Sequence, residues 1–277
     1  MKWICVICLG FFSLFCCQSD ESSASAYEGI KTIEYNGTSV DVIISKPALP
    51  SADVIVAYHG TVFLDSKILG AAQRMLEELK KITTRNDIMF VSVAYPEENL
   101  LMGDNLKHAE AALLWVKHRA AEEMKITVNR IYLVGHSQGG YLVTRLNALY
   151  ATDGVIANGP GPLDLAFRCQ LEAAGQAPRT PTCTLLSEVY GTPVRGEQQY
   201  FNRSLLNYVS GFQSKILFVQ GLKDSAIQLN SWPVFKNLVQ SCSDCKGVEI
   251  IEVNDAGHEA LFESNVAQEA YNQFIGR

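Results

Sequence analysis

The sequence predicts an α/β fold, a mostly parallel central sheet with helices on both faces. Three observations carry that prediction. Short runs rich in β-branched residues recur along the chain, and several are apolar throughout, as strands covered on both faces must be. Between them lie stretches with an apolar position every three or four residues, the period of a helix with one buried face. Glycine-bearing polar loops follow the strand-like runs, where sheets of this kind bind their ligands.

In chain order, residues 40–45 and 54–58 are the first two runs, and "VIVAY" leads directly into His59-Gly60-Thr61. A helix is predicted over 66–83 and a strand over 88–94. Leu106, Ala109, Leu113, Val116 and Ala120 then form an apolar stripe, with Lys107, Glu110 and Lys117 turned elsewhere. Residues 130–134 form a strand, 138–150 a helix, and 155–157 a short strand. From 159 to 211 the alternation breaks. That interval is rich in Pro, Gly and Thr, including "GPGPLDL" and "EAAGQAPRTPTC", and so long an irregular insertion is expected to act as a lid or cap. Strand 216–220, helix 230–241, strand 248–253 and helix 259–275 complete the pattern.

The N-terminus is organised differently. Lys2 precedes a near-continuous apolar run over 3–17, too short for a comfortable membrane span and suited to an export signal. Residues 1–26 are therefore assigned as a signal peptide and polar tether, and 27–277 as one α/β domain. Ala24-Ser25-Ala26 fits a signal-peptidase site. Cys16 or Cys17, followed by "QSDESS", fits a lipoprotein signal, although neither Phe15 nor Cys16 is the small residue that usually precedes a lipidated cysteine. The expected location is exported, either secreted or periplasmic, or membrane-anchored as a lipoprotein. No later stretch is long and apolar enough for a transmembrane helix.

Composition narrows the function. The 277 residues are 48% hydrophobic and carry a net charge of −6 with no basic run, so a nucleic-acid partner is excluded on electrostatic grounds. Four of the eight cysteines lie in the first 17 residues. Cys169, Cys183, Cys242 and Cys245 remain, and in an oxidising compartment they are candidates for two disulfides. Three pairings are open; local closure favours Cys169–Cys183 and Cys242–Cys245. "CSDC" is alternatively a redox or metal motif, weak without a second ligand pair. Asn36-Gly37-Thr38 and Asn202-Arg203-Ser204 are glycosylation sequons, relevant only in a host that glycosylates exported proteins.

Chemistry centres on "GHSQGG". A serine between glycines, after a strand and before a helix, is the setting of a nucleophile held on a strained turn, where side chains at Gly135 and Gly139 would collide. Ser137 needs a base, and the base needs an orienting acid. Of five histidines, His108 and His118 belong to a charged helix and are read as surface residues. His136 points away from the elbow and is read as packing, while His59 belongs to the earlier loop. His258, in a loop after the last strand, is left as the base. Asp224, in the loop after strand 216–220, is the preferred acid, with Asp255 and Asp164 as alternatives. An oxyanion requires donors. The backbone N–H of Gln138 opens the helix after the serine, and that of Thr61 lies in the earlier strand-to-helix loop.

With "HGT", "GHSQGG", "GLKD" and "AGH" each following a strand, residues 30–277 resemble the α/β-hydrolase superfamily. The stretch "YFNRSLLNYVSGFQSKILFVQGLKD" is loosely similar to the approach to the acid in prolyl-oligopeptidase-type and dienelactone-hydrolase-like members. The resemblance implies an α/β-hydrolase fold with an insertion or lid after the sixth strand. It also implies a serine hydrolase that uses no metal and no cofactor. The expected reaction is cleavage of small-molecule carboxylic esters through an acyl-enzyme. Peptide-like substrates, acyl transfer, or a non-catalytic binding role are the alternatives.

Overall fold

Eight strands form one sheet in the order β1-β2-β4-β3-β5-β6-β7-β8. They appear in a computed structural model that describes residues 25–194 and 197–276. The signal and lipidation assignments fall on residues outside that range, apart from Ser25 and Ala26. The strands are β1 (Tyr27–Tyr35), β2 (Thr38–Lys46), β3 (Ser51–Tyr58), β4 (Ile88–Ala94), β5 (Thr127–His136), β6 (Gly154–Asn158), β7 (Ile216–Gly221) and β8 (Val248–Val253). β1 and β2 form an antiparallel hairpin, and β2 pairs antiparallel with β4. Every pairing from β4 through β3 and β5 to β8 is parallel. The inner strands β4, β6 and β7 are buried along their whole length and are mainly apolar, with Ser92, Asn158 and Gln220 as buried polar exceptions.

One face is covered by α1 (Ile68–Ile82), α9 (Ala260–Glu263) and α10 (Asn265–Gly276), whose Leu79, Leu261 and Tyr271 share a core with Ile55 and Val134. The opposite face carries α2 (Leu106–His118), the short α3 (Ala120–Glu123), α4 (Gln138–Leu149) and α8 (Ala226–Gln240), with Trp115, Tyr141 and Phe235 packed on Val54 and Phe218. Among the described residues, no helix is long and apolar enough to cross a membrane.

Three features differ from the sequence expectation. β1 is an additional strand, with only Ile33 fully buried, so its apolar pattern is faint. The 159–211 interval follows β6 and is not irregular: it holds α5 (Leu165–Ala173), α6 (Pro181–Tyr190) and α7 (Glu197–Phe201). Each of the first two starts at a side-chain cap, Asp164 accepting from the Phe167 N–H and Thr180 from the Cys183 N–H, with Pro181 in the first turn of α6. Finally, the last predicted helix is two, because Ser264 leaves the helical conformation between α9 and α10.

Both disulfides favoured by local closure are present. Cys169–Cys183 joins α5 to α6 with a Cα–Cα distance of 5.3 Å, and Cys242–Cys245 closes the turn after α8 at 5.6 Å. Glu172, buried on α5, reinforces the first join: it accepts from the Arg168 Nε and from both the N–H and hydroxyl of Thr180.

Candidate active site

The β5–α4 turn places Ser137 at φ 55° and ψ −116°, a conformation rarely taken by a residue with a side chain. Two close approaches force that geometry. A Cβ on Gly139 would lie 2.0 Å from the Tyr58 carbonyl oxygen, and one on Gly135 would lie 2.1 Å from the Gly139 oxygen. Only glycine lets α4 press its first turn against the end of β3 while projecting the serine above the sheet.

The loops after β7 and β8 converge on that serine. The Ser137 hydroxyl and His258 Nε2 are 2.9 Å apart, and His258 Nδ1 lies 2.7 Å from Asp224 Oδ2. A carboxylate only accepts, so Nδ1 carries the proton and the bare Nε2 of the neutral ring accepts from the serine. Asp224 is itself held by the Gln220 side chain at 3.0 Å and the Ser225 N–H at 2.6 Å. Gln228 fixes Gln220 in turn, bonding its Oε1 and the Pro160 carbonyl. Of the alternative acids, Asp164 caps α5 and Asp255 is exposed; neither is the carboxylate bonded to His258.

Electrostatics follow this arrangement. Burial works against the charged imidazolium of His258, but the hydrogen bond and charge of Asp224, helped by Glu259, outweigh it and raise the pKa above 6.5. Burial likewise opposes the Asp224 carboxylate, yet its bond to His258 leaves the pKa below the usual value.

Thr61 lines both cavities at the serine, and Gln138 follows it as the first residue of α4. Among the described residues, the backbone N–H of each has no acceptor, as donors awaiting an oxyanion would. Thr61, Ser137 and His258 stand where two cavities meet. One, of about 550 Å³, has apolar walls from Phe63, Met102, Leu163 and Ile227, with Arg168 contributed by α5 and Thr180 by the cap residue of α6. The other, of about 560 Å³, is more polar and is lined by Arg74, Glu78, His136 and Glu259.

The remaining histidines fall in different places from one another. His118 is exposed, whereas His108 is half-buried, and burial lowers its pKa. His136 packs edge-on against His258 and Phe262, and it is also hydrogen-bonded on both ring nitrogens. Its Nδ1 accepts from Asn158 at 3.0 Å, so its Nε2 donates to Glu259 at 3.2 Å, beside the His258 ring. His59 is buried, stacked on Tyr95 at 4.2 Å, and burial brings its pKa down to about 4, so it is neutral at any ordinary pH. Residues that pattern reading did not single out are Glu97, Asn158, Gln220 and Gln228. Only Glu97 left a signal, two acids in "YPEE" directly after β4 at the ligand-binding end of the sheet.

As a metal site, the described residues offer one grouping, Cys242, Asp244 and Cys245. Both sulfurs are committed to a disulfide, so neither is available as a thiolate ligand.

Comparison with known proteins places this geometry. A family described as alpha/beta hydrolase fold matches residues 55–195, just over half of the chain. No curated protein matches. Among solved structures, an acylaminoacyl peptidase in complex with a chloromethyl ketone superposes with a TM-score of 0.65 at 16% identity, over 91% of this chain. This chain spans only 41% of that protein's length. Est1E from Butyrivibrio proteoclasticus gives a TM-score of 0.61 at 16% identity, covering 89% of this chain and 97% of its own. A hyperthermophilic esterase from Pyrobaculum calidifontis gives 0.64 at 15% identity, over 90% and 84% respectively. At such identities the shared property is the fold.

Proposed function

Because the chain belongs to the alpha/beta hydrolase fold family, we propose that it is an exported serine hydrolase that cleaves carboxylic esters. The observation that carries this reading is the relay from Ser137 through His258 to Asp224, at 2.9 and 2.7 Å, opening between two unengaged backbone donors. His258 Nε2 takes the hydroxyl proton as Ser137 Oγ attacks the ester carbonyl. The N–H groups of Gln138 and Thr61 hold the oxyanion, and Asp224 holds the imidazolium. Collapse expels the alcohol, which receives the proton from His258. Water then attacks the acyl-serine by the same route, releases the acid and regenerates Ser137. Export rests on the N-terminal sequence, and two disulfides suit an oxidising compartment.

The test is fluorophosphonate labelling with peptide mapping, beside a panel of esters and peptide amides assayed with and without an acceptor alcohol. Label is expected on Ser137, and Ser137→Ala is expected to lower ester turnover on the order of 10⁴–10⁶-fold. Full ester activity in Ser137→Ala would overturn the reading. Faster cleavage of amides, or transfer to the acceptor, would replace ester hydrolysis with peptidase or acyltransferase activity on the same site.

A further inference from the structure

We propose that Glu97 is a positioning residue that ties the two halves of the oxyanion hole together. This rests on the reading of Ser137, Gln138 and Thr61 given above. The two donors come from separate loops, one after β3 and one after β5, and an oxyanion hole works only if their spacing is fixed before the charge develops. Glu97, in the loop after β4, touches both. Its Oε2 accepts from the N–H of Val62, the residue next to Thr61, at 2.7 Å. The Gln138 side-chain nitrogen faces the same carboxylate, 2.8 Å from each oxygen, and lies 3.1 Å from the Thr61 hydroxyl. That amide orientation follows from its neighbours, since the Gln138 oxygen then accepts from Asn105 Nδ2 at 3.0 Å. Gln138 is 2% exposed, so its side chain has no alternative partner in solvent.

The surrounding loop is built to hold Glu97. Asp65 accepts from the N–H groups of Glu97 and Glu98, and the Asp65 N–H donates to Glu98, each at 3.0 Å. Tyr95 donates to the His59 carbonyl just before the donor loop. The carboxylate itself takes no part in the proton relay. An acid placed here without a catalytic step is explained by the two bonds that it accepts.

Protonation would weaken this tie, because a carboxyl group has one free acceptor oxygen where the carboxylate has two. Burial and the nearby Asp65 charge raise the Glu97 pKa, while the Val62 N–H and the Gln138 amide that donate to the carboxylate oppose the rise. Asp65 faces it from the loop after β3, and the buried Tyr95, whose pKa its charge helps to raise, from two residues before it; Gln138 on α4 and Asn105 at the start of α2 are neutral. Two groups, His258 and Glu97, must therefore lose protons for full activity.

The experiment compares wild type, Glu97→Ala, Glu97→Gln and Ser137→Ala on one ester, with circular dichroism and melting curves confirming folded protein. Removing a whole oxyanion donor costs on the order of 10²–10³-fold in rate, so loosening the pair in Glu97→Ala is expected to lower kcat by roughly 10–100-fold with KM nearly constant. Glu97→Gln retains a carbonyl acceptor, and is expected to recover most of the loss and to fall less steeply with acid than wild type. The proposal is overturned if folded Glu97→Ala keeps wild-type kcat, if the change lies in KM, or if the Gln variant has the wild-type pH profile. Inactive wild type, or active Ser137→Ala, would instead remove the esterase reading. Should Glu97→Ala not fold, the pH profile of Glu97→Gln decides alone.

Discussion

Ser137 sits in backbone strain of about 1–3 kcal/mol, which persists only because its surroundings over-determine it. Its N–H is fixed by the Asn158 carbonyl at 2.9 Å, and its carbonyl accepts from Tyr141 and Gly161. His258 depends on its partner in a different way. Without the Asp224 carboxylate, nothing selects the ring tautomer whose bare nitrogen faces the serine. Asp224→Asn is therefore expected to lower kcat on the order of 10⁴-fold. The pH profile gives an independent check. In the proposed mechanism the active form is the neutral ring, and a pKa raised above 6.5 means that activity should be lost as pH falls through a point above 6.5. In Asp224→Asn that histidine ionisation should move downward, because the charge that favoured the imidazolium has gone. An unshifted ionisation would mean that Asp224 is not what raises it. Ser137, Asp224 and His258 were all legible in the sequence, since each follows a strand inside a short motif. Glu97, Gln220 and Asn158 were not. The partners of Glu97 and Asn158 lie tens of residues away in the chain, Gln220 reads as the polar end of an apolar strand although Asp224 and Gln228 are only four and eight residues on, and an acid in "YPEENL" reads as solvated until the loop that covers it is known.

The strands of the parallel sheet were readable for a simple reason: burial on both faces leaves mainly apolar runs. β1 escaped because an exposed edge strand needs few apolar residues, and its best signal was the turn. Asn36 and Gly37 adopt φ values of 48° and 76°, a pattern Asn-Gly favours in hairpins, yet the pair was read only as part of a sequon. The helices of the 159–211 interval escaped because Thr180, Pro181 and Gly191 start and end α6 there rather than forming coil. The pair α5 and α6 is held together by Cys169–Cys183 and by Glu172. The bridge joins residues 14 apart, for which loss of the cross-link is expected to cost about 3 kcal/mol. Replacing both cysteines with serine should therefore lower the melting temperature and expose the 174–180 loop to limited proteolysis. The three-residue separation of Cys242–Cys245 closes a much smaller loop, so its removal should matter less. Equal effects from the two double variants would contradict this account of how α5 and α6 are joined.

The molecule divides its tasks between the two ends of the sheet. Ser137, Asp224, His258, Thr61 and Glu97 all lie beyond carboxyl ends of strands, where the loops are free to vary. The amino ends carry a different arrangement. Asp53, near the start of β3 and 2% exposed, bonds Arg85 at 2.6 Å and Arg130 at 2.8 Å, tying the approach to β4 and the start of β5 to the central strand. Arg85 is joined in addition to Asp87 and to the Ile275 carbonyl at the end of α10, so one buried carboxylate organises three strand starts and the last helix. Asp53 and His59 are six positions apart, about 20 Å at the usual rise of a strand, and none of Asp53, Arg85, Asp87 and Arg130 lines either cavity at the serine. Stability and catalysis should therefore respond separately. Asp53→Ala leaves two arginines without their shared partner, and because both reach solvent in part, the expected loss is about 3 kcal/mol, at the low end for a broken buried pair. In a protein of this size that corresponds to roughly 6–12 °C in Tm. At a temperature where the variant remains folded, kcat and KM on an ester should match wild type. Melting curves and steady-state kinetics on the same preparation make the comparison. A lowered kcat at unchanged Tm would show that the two ends are coupled through β3, and that the division of tasks does not hold.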